Sequence, residues 1–190
     1  MIYTENDPET IKAIEKGIPI AELEKRMKKT RDIYLGLDES LVQVIVEDHH
    51  TMQRLHISYE LLADVVEALT SNQQKQYIKP GYTGIFTFTE VGCPWGCKTP
   101  DEFYSFAGLN AFILPEKYFE SLPNDEILSK EYLDLYENVI FNDRKPIPDV
   151  LRLSPVSAHL IRVHHFLEGR ESPYRMDSKK MIECLILSGN

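Results

Sequence analysis

Apolar positions along this chain recur at two different periods, and the switches between them divide it into segments. Asp7-Pro8-Glu9 ahead of Gly17 predicts a short helix with a side-chain cap, a proline at its first position and a glycine stop. Pro19 opens a second helix with Ile20, Leu23 and Met27 on one face and a basic face of Lys25, Arg26, Lys28, Lys29 and Arg31. Residues 41–47 are short and β-branched, and residues 52–59 alternate, so the two runs predict a hairpin turning through Asp48-His49-His50-Thr51. From Glu60 the period becomes helical, with Leu61, Leu62, Val65, Val66 and Leu69 in one stripe. Residues 84–89, 106–114 and 150–153 predict three further strands. Residues 116–121, 125–140 and 156–167 predict helices, and residues 181–187 a helix or a buried strand. Paired strands with helices between them predict an α+β fold, one mainly antiparallel sheet of about four or five strands flanked by helices. A single domain over 1–190 is expected, with 1–34 as a helical segment packed on it.

Composition narrows the class. With 43% hydrophobic and 27% charged residues, 9 Gly and 11 Pro, the chain is neither disordered nor fibrous. No apolar run approaches the ~20 residues of a membrane span, and Met1 to Asp7 lacks a secretory signal pattern. Three cysteines are too few for a disulfide scaffold, so a soluble, cytoplasmic protein is expected. The net charge of −9 is unevenly spread: residues 34–141 hold 6 basic and 17 acidic residues, and residues 142–190 hold 8 and 6. An acidic middle repels phosphate backbones, which argues against general nucleic-acid binding. Five of the eight arginines, Arg144, Arg152, Arg162, Arg170 and Arg175, lie in the last quarter. Arginine grips carboxylates and phosphates bidentately where lysine cannot, so their segregation points either to an anion-binding pocket or to ion pairing with the acidic middle.

The most specific local feature is Gly92-Cys93-Pro94-Trp95-Gly96-Cys97. Two cysteines four positions apart in a Gly/Pro loop can turn both sulfurs onto one metal ion, zinc by preference. The two missing ligands would be histidines, or Cys184 with one histidine. The same pair could instead cycle between dithiol and disulfide, or be small hydrophobes packed round the only tryptophan. On the helix after Pro155, His159 and His164 stand five apart, about 140° apart on the helical wheel, which is not the three-or-four spacing of a helical ligand pair. His164 falls near the apolar stripe and reads as a core histidine, and His165 lies on the polar side.

Asp48-His49-His50 resembles the metal-binding triplet of the DHH phosphoesterases over about ten residues. The resemblance implies further metal-binding aspartates on an upstream strand–helix unit, and residues 1–47 read mainly as helix. No Gly-rich phosphate loop or nucleophile motif occurs. The leading expectation is therefore binding, with or without transformation, of a small anionic metabolite. Arg152, Arg162, Arg170 and Arg175 would form the clamp, and His165, with His164, would serve as acid/base groups. The competing expectation is an acidic interaction module. In it Glu116, Glu120, Asp125, Glu126, Glu131, Asp134 and Glu137, with Tyr132 and Tyr136, would meet a basic protein partner; self-association as a homo-oligomer is a separate expectation.

Overall fold

Asp7 caps the first helix, α1 (Pro8–Glu15), its Oδ2 accepting the Thr10 N–H at 2.9 Å. In the computed structural model, which describes residues 3–29, 34–97, 105–120 and 149–187, Lys16 then turns left-handed at φ 46° and ends that helix. α2 (Ile20–Lys29) buries Leu23 and Met27 completely, as its spacing predicts. α3 (Leu41–Leu55) and α4 (Tyr59–Asn72) follow, separated by His56 at φ 54° and by Ser58, whose Oγ accepts the Leu61 N–H at 3.1 Å.

The sheet is antiparallel throughout and runs in the order β1 (Tyr82–Gly92), β2 (Ser105–Pro115), β3 (Leu151–Leu153). Phe86 pairs with Ala111 across the first ladder, and Phe112 with Arg152 across the second. α5 (Lys117–Glu120) closes the end of β2, α6 (Pro155–His164) follows β3, and α7 (Ser178–Cys184) lies near the C-terminus. Side chains alternate as a pleat requires. Ala111, Ile113, Leu151 and Leu153 join α4, α6 and α7 in one apolar cluster, and Phe112 and Leu114 face the other side with Val150. A separate cluster combines α1, α2 and α3 with Val91, Cys93, Trp95, Val156, Leu160 and Phe166.

The α+β class agrees with the sequence pattern, and the strand count does not: three strands are present among the described residues, rather than four or five. The expected hairpin of 41–47 and 52–59 is helix instead. Leu41, Val44, Ile45, Asp48 and Met52 are all buried, a spacing of three and four that suits a helix facing a core. β-branching favours strands, but burial along this stripe overrides it. Asp48-His49-His50 therefore lies within a helix and not at a strand end. The helix expected at 125–140 lies outside the described residues. Among the described residues, no helix is long and apolar enough to cross a membrane.

A candidate metal centre between the β1 loop and helix α6

β1 ends at Gly92, whose carbonyl accepts the Tyr34 hydroxyl at 2.8 Å, and the chain turns sharply at once. The Gly96 N–H donates to the Cys93 carbonyl at 2.8 Å, and Gly96 stands at φ 71°, a conformation that its missing Cβ permits. This turn brings Cys93 and Cys97 to one side. The backbone at Cys97 and Trp95 pulls the Cys93 thiol toward its ionised form, against the larger opposite effect of burial. Trp95 goes inward, where its indole N–H donates to the Ile14 carbonyl at 2.8 Å.

The other half comes from α6. Ser154 and Ser157 form a capping box around Pro155, and the helix runs to His164, where His165 at φ 53° stops it. His164 is buried, its ring stacked on Trp95 at 3.9 Å between centroids and 14° between planes. Its Nε2 lies 3.5 Å from Cys93 Sγ and 3.3 Å from Cys97 Sγ. His159 joins from one turn and a half earlier, its ring centroid 5.1 Å from that of His164. One ligand atom from each of Cys93, Cys97, His159 and His164 lies within 4.8 Å of every other.

A tetrahedral zinc ion, with Zn–S of about 2.3 Å and Zn–N of about 2.05 Å, separates sulfur from nitrogen by about 3.5 Å along each edge. The measured contacts of His164 match that edge. Burial sets the electrostatics. It pushes the Cys93 thiol up to about 12, and it pushes His159 down to about 4 and His164 down to about 2, with Lys16 adding to both imidazole shifts. Both imidazoles are therefore neutral at physiological pH, which is the form that ligates.

The five-residue spacing argues against pairing His159 with His164, yet the two ring centroids lie 5.1 Å apart. Cys184, the sequence's alternative ligand, packs in the other apolar cluster, and its carbonyl accepts the Lys79 N–H.

The expected anion clamp is dispersed. Arg152 is 1% exposed in β3, with its guanidinium 5.8 Å from the Phe112 ring. Arg162 fans onto Glu60, Asp64 and Glu67 of α4 at 2.9, 2.6 and 2.8 Å, which ties α6 to α4. Arg170 bonds Glu47 at 2.5 Å, and Arg175 grips the buried Asp48 through both of its terminal nitrogens at 3.0 and 2.5 Å. Arg170 and Arg175 share a cavity. His165 bonds the Tyr3 hydroxyl through Nδ1 at 2.8 Å and stacks on Tyr59 at 4.2 Å, and it lines neither that cavity nor the one beside His159. His164, the other expected acid/base group, faces the two sulfurs. Of the acidic stretch expected to meet a basic partner, residues 121–141 lie outside the described residues. No protein family, curated protein or solved structure matches the chain.

Proposed function

We propose that this chain is a metal-binding protein in which Cys93, Cys97, His159 and His164 hold one zinc ion. The ion's role is to clasp the loop after β1 to the end of α6. One observation carries the reading: four ligand atoms from two segments far apart in sequence converge within 4.8 Å. Two thiolates and two imidazoles form a donor set typical of structural zinc; a Rieske-type iron–sulfur cluster divides the same set between two irons, whereas both sulfurs here meet one imidazole nitrogen at 3.3 and 3.5 Å, and copper(II) prefers a tetragonal N/O set.

All four positions are filled by protein, which leaves none for water or substrate, and a closed site of this kind supports structure rather than catalysis. The surroundings support it as well. The backbone at Cys97 and Trp95 favours the Cys93 thiolate, although burial outweighs it, and the Trp95 stack fixes the His164 ring.

The test is metal analysis of the chain purified without chelator, by plasma mass spectrometry and native mass spectrometry. One zinc per chain is expected, with less than a tenth of that in Cys97→Ser and in His159→Asn. Cobalt exchanged into the wild type should show the visible bands of a tetrahedral thiolate complex. A wild type without metal, whether its thiols are free or joined as a Cys93–Cys97 disulfide, overturns the proposal. So does metal that survives both substitutions.

A further inference from the structure

The segment between α6 and α7 has little regular structure, yet it is held at every few residues by groups from α3 and the turn before it. The Leu167 N–H donates to Asp48 Oδ2 at 3.1 Å, the Gly169 N–H to the Tyr34 carbonyl at 2.7 Å, and the Arg170 N–H to Glu39 Oε1 at 2.8 Å. Arg175 closes the segment on itself through the Glu168 carbonyl while both of its terminal nitrogens bond Asp48.

This framework surrounds a cavity of about 360 Å³ lined by Arg170, Ser172, Pro173, Arg175, Asp177 and Lys180. That volume falls in the range of small-ligand sites. Three of its six lining residues are cations and one is an acid. The Asp177 carboxylate is committed through Oδ1 to the Lys179 and Lys180 N–H groups at the start of α7. Glu47 and Asp48, which hold the two arginines, are not among the lining residues.

The arginines therefore keep donors in reserve. Among the described residues, of the five N–H donors of a guanidinium Arg175 uses three, on Asp48 and the Glu168 carbonyl, and Arg170 uses one, on Glu47. Both guanidiniums are oriented by carboxylates that do not occupy the cavity, so a ligand meets forks already in position. Lys180 is half-buried, with its Nζ donating to the Val150 carbonyl at 3.2 Å, and it adds a third positive charge.

We infer that this cavity binds a small divalent oxyanion, a phosphate group or a dicarboxylate, with Arg170 and Arg175 as the forks and Lys180 as the point charge. The site shares no residue with the zinc centre and stands or falls separately from it.

The test is a nuclear magnetic resonance titration of the whole chain with inorganic phosphate and, in a second arm, with succinate. Sodium chloride at matched ionic strength is the control. At least one of the two anions should give saturable amide shifts confined to residues 167–181. Arg170→Gln and Lys180→Gln should each weaken that binding roughly tenfold or more. Both variants leave the Arg175–Asp48 pair intact, and a spectrum unchanged away from residues 167–181 and from the lost partners Glu47 and Val150 confirms their fold. Shifts in the phosphate arm alone identify a phosphate site, and in the succinate arm alone a dicarboxylate site. No saturable shift in either arm, shifts equalled by chloride, or binding unaltered in both variants overturns the inference.

Discussion

Asp48 is the polar side chain on which the C-terminal segment leans. It is 1% exposed and accepts from Arg175 Nη1 and Nη2 and from the Leu167 N–H. Burial pushes its carboxyl up to about 6, and Arg175 beside it pulls the other way. The folded chain thus holds this proton more tightly than the unfolded chain, whose carboxyl titrates near 3.8. The group's contribution to stability is full below that value and is lost as pH rises through about 6. Urea unfolding from pH 3.5 to 7 should show this decline in the wild type, and Asp48→Asn should lack it. Removing one partner of a buried pair typically costs about 3–5 kcal/mol, so Asp48→Ala is expected to lose stability of that order at neutral pH. Nothing in the primary structure marks Asp48 as Arg175's partner. The two lie far apart in sequence, and the Asp-His-His triplet draws attention to a turn that does not exist.

Among the elements, α3 shows where the pattern misleads. Its β-branched start suggests a strand, although the full stripe from Leu41 to Met52 is helical. A seven-residue window contains too little of the three-and-four period to outweigh local β propensity. By contrast α1 and α2 were legible because caps and stops mark them, Asp7 and Pro8, then Pro19, and α4 from its unbroken apolar stripe alone, its cap Ser58 having been read as part of a strand. β1, β2 and β3 were legible from turn residues and alternation, with ends displaced by up to three residues. The helix end at His56 is strained, an exposed non-glycine residue at φ 54°. Glycine there removes a steric cost of roughly 1–2 kcal/mol and adds an entropic cost of about 0.5–1 kcal/mol. His56→Gly should therefore stabilise the chain by roughly 0.5–1 kcal/mol in chemical denaturation.

For the molecule as a whole, the proposed metal centre sits where two parts of the core are joined by one helix. α6 contributes Ala158 and Ile161 to the cluster around the sheet, and Val156 and Leu160 to the cluster around α1–α3. Half of the proposed site was legible: Cys93 and Cys97 stand out in the sequence, whereas the three-or-four spacing rule set His159 and His164 aside although their ring centroids lie 5.1 Å apart. The segregation of arginine was also plain in the sequence, but one sequence cannot show that Arg152 and Arg162 serve the core and the α4 surface. A ligand bound only by the folded state stabilises by about 4 kcal/mol when its free concentration is 1,000 times Kd. For a chain of this size that corresponds to a rise in Tm of roughly 10 °C. Added chelator should lower the wild-type Tm by an amount of that order and leave a Cys93→Ser variant, already destabilised, unmoved.

Trp95 has an optical consequence. It is the only tryptophan in the chain, its ring stacks on the His164 imidazole, and its N–H is anchored on α1. Every photon the indole emits therefore comes from beside the four proposed ligands. Loading with a paramagnetic ion such as cobalt should darken it, and loosening of the loop should shift its colour toward that of a solvated indole. The fold thus carries its own fluorescent gauge of whether the clasp is shut, readable without any label.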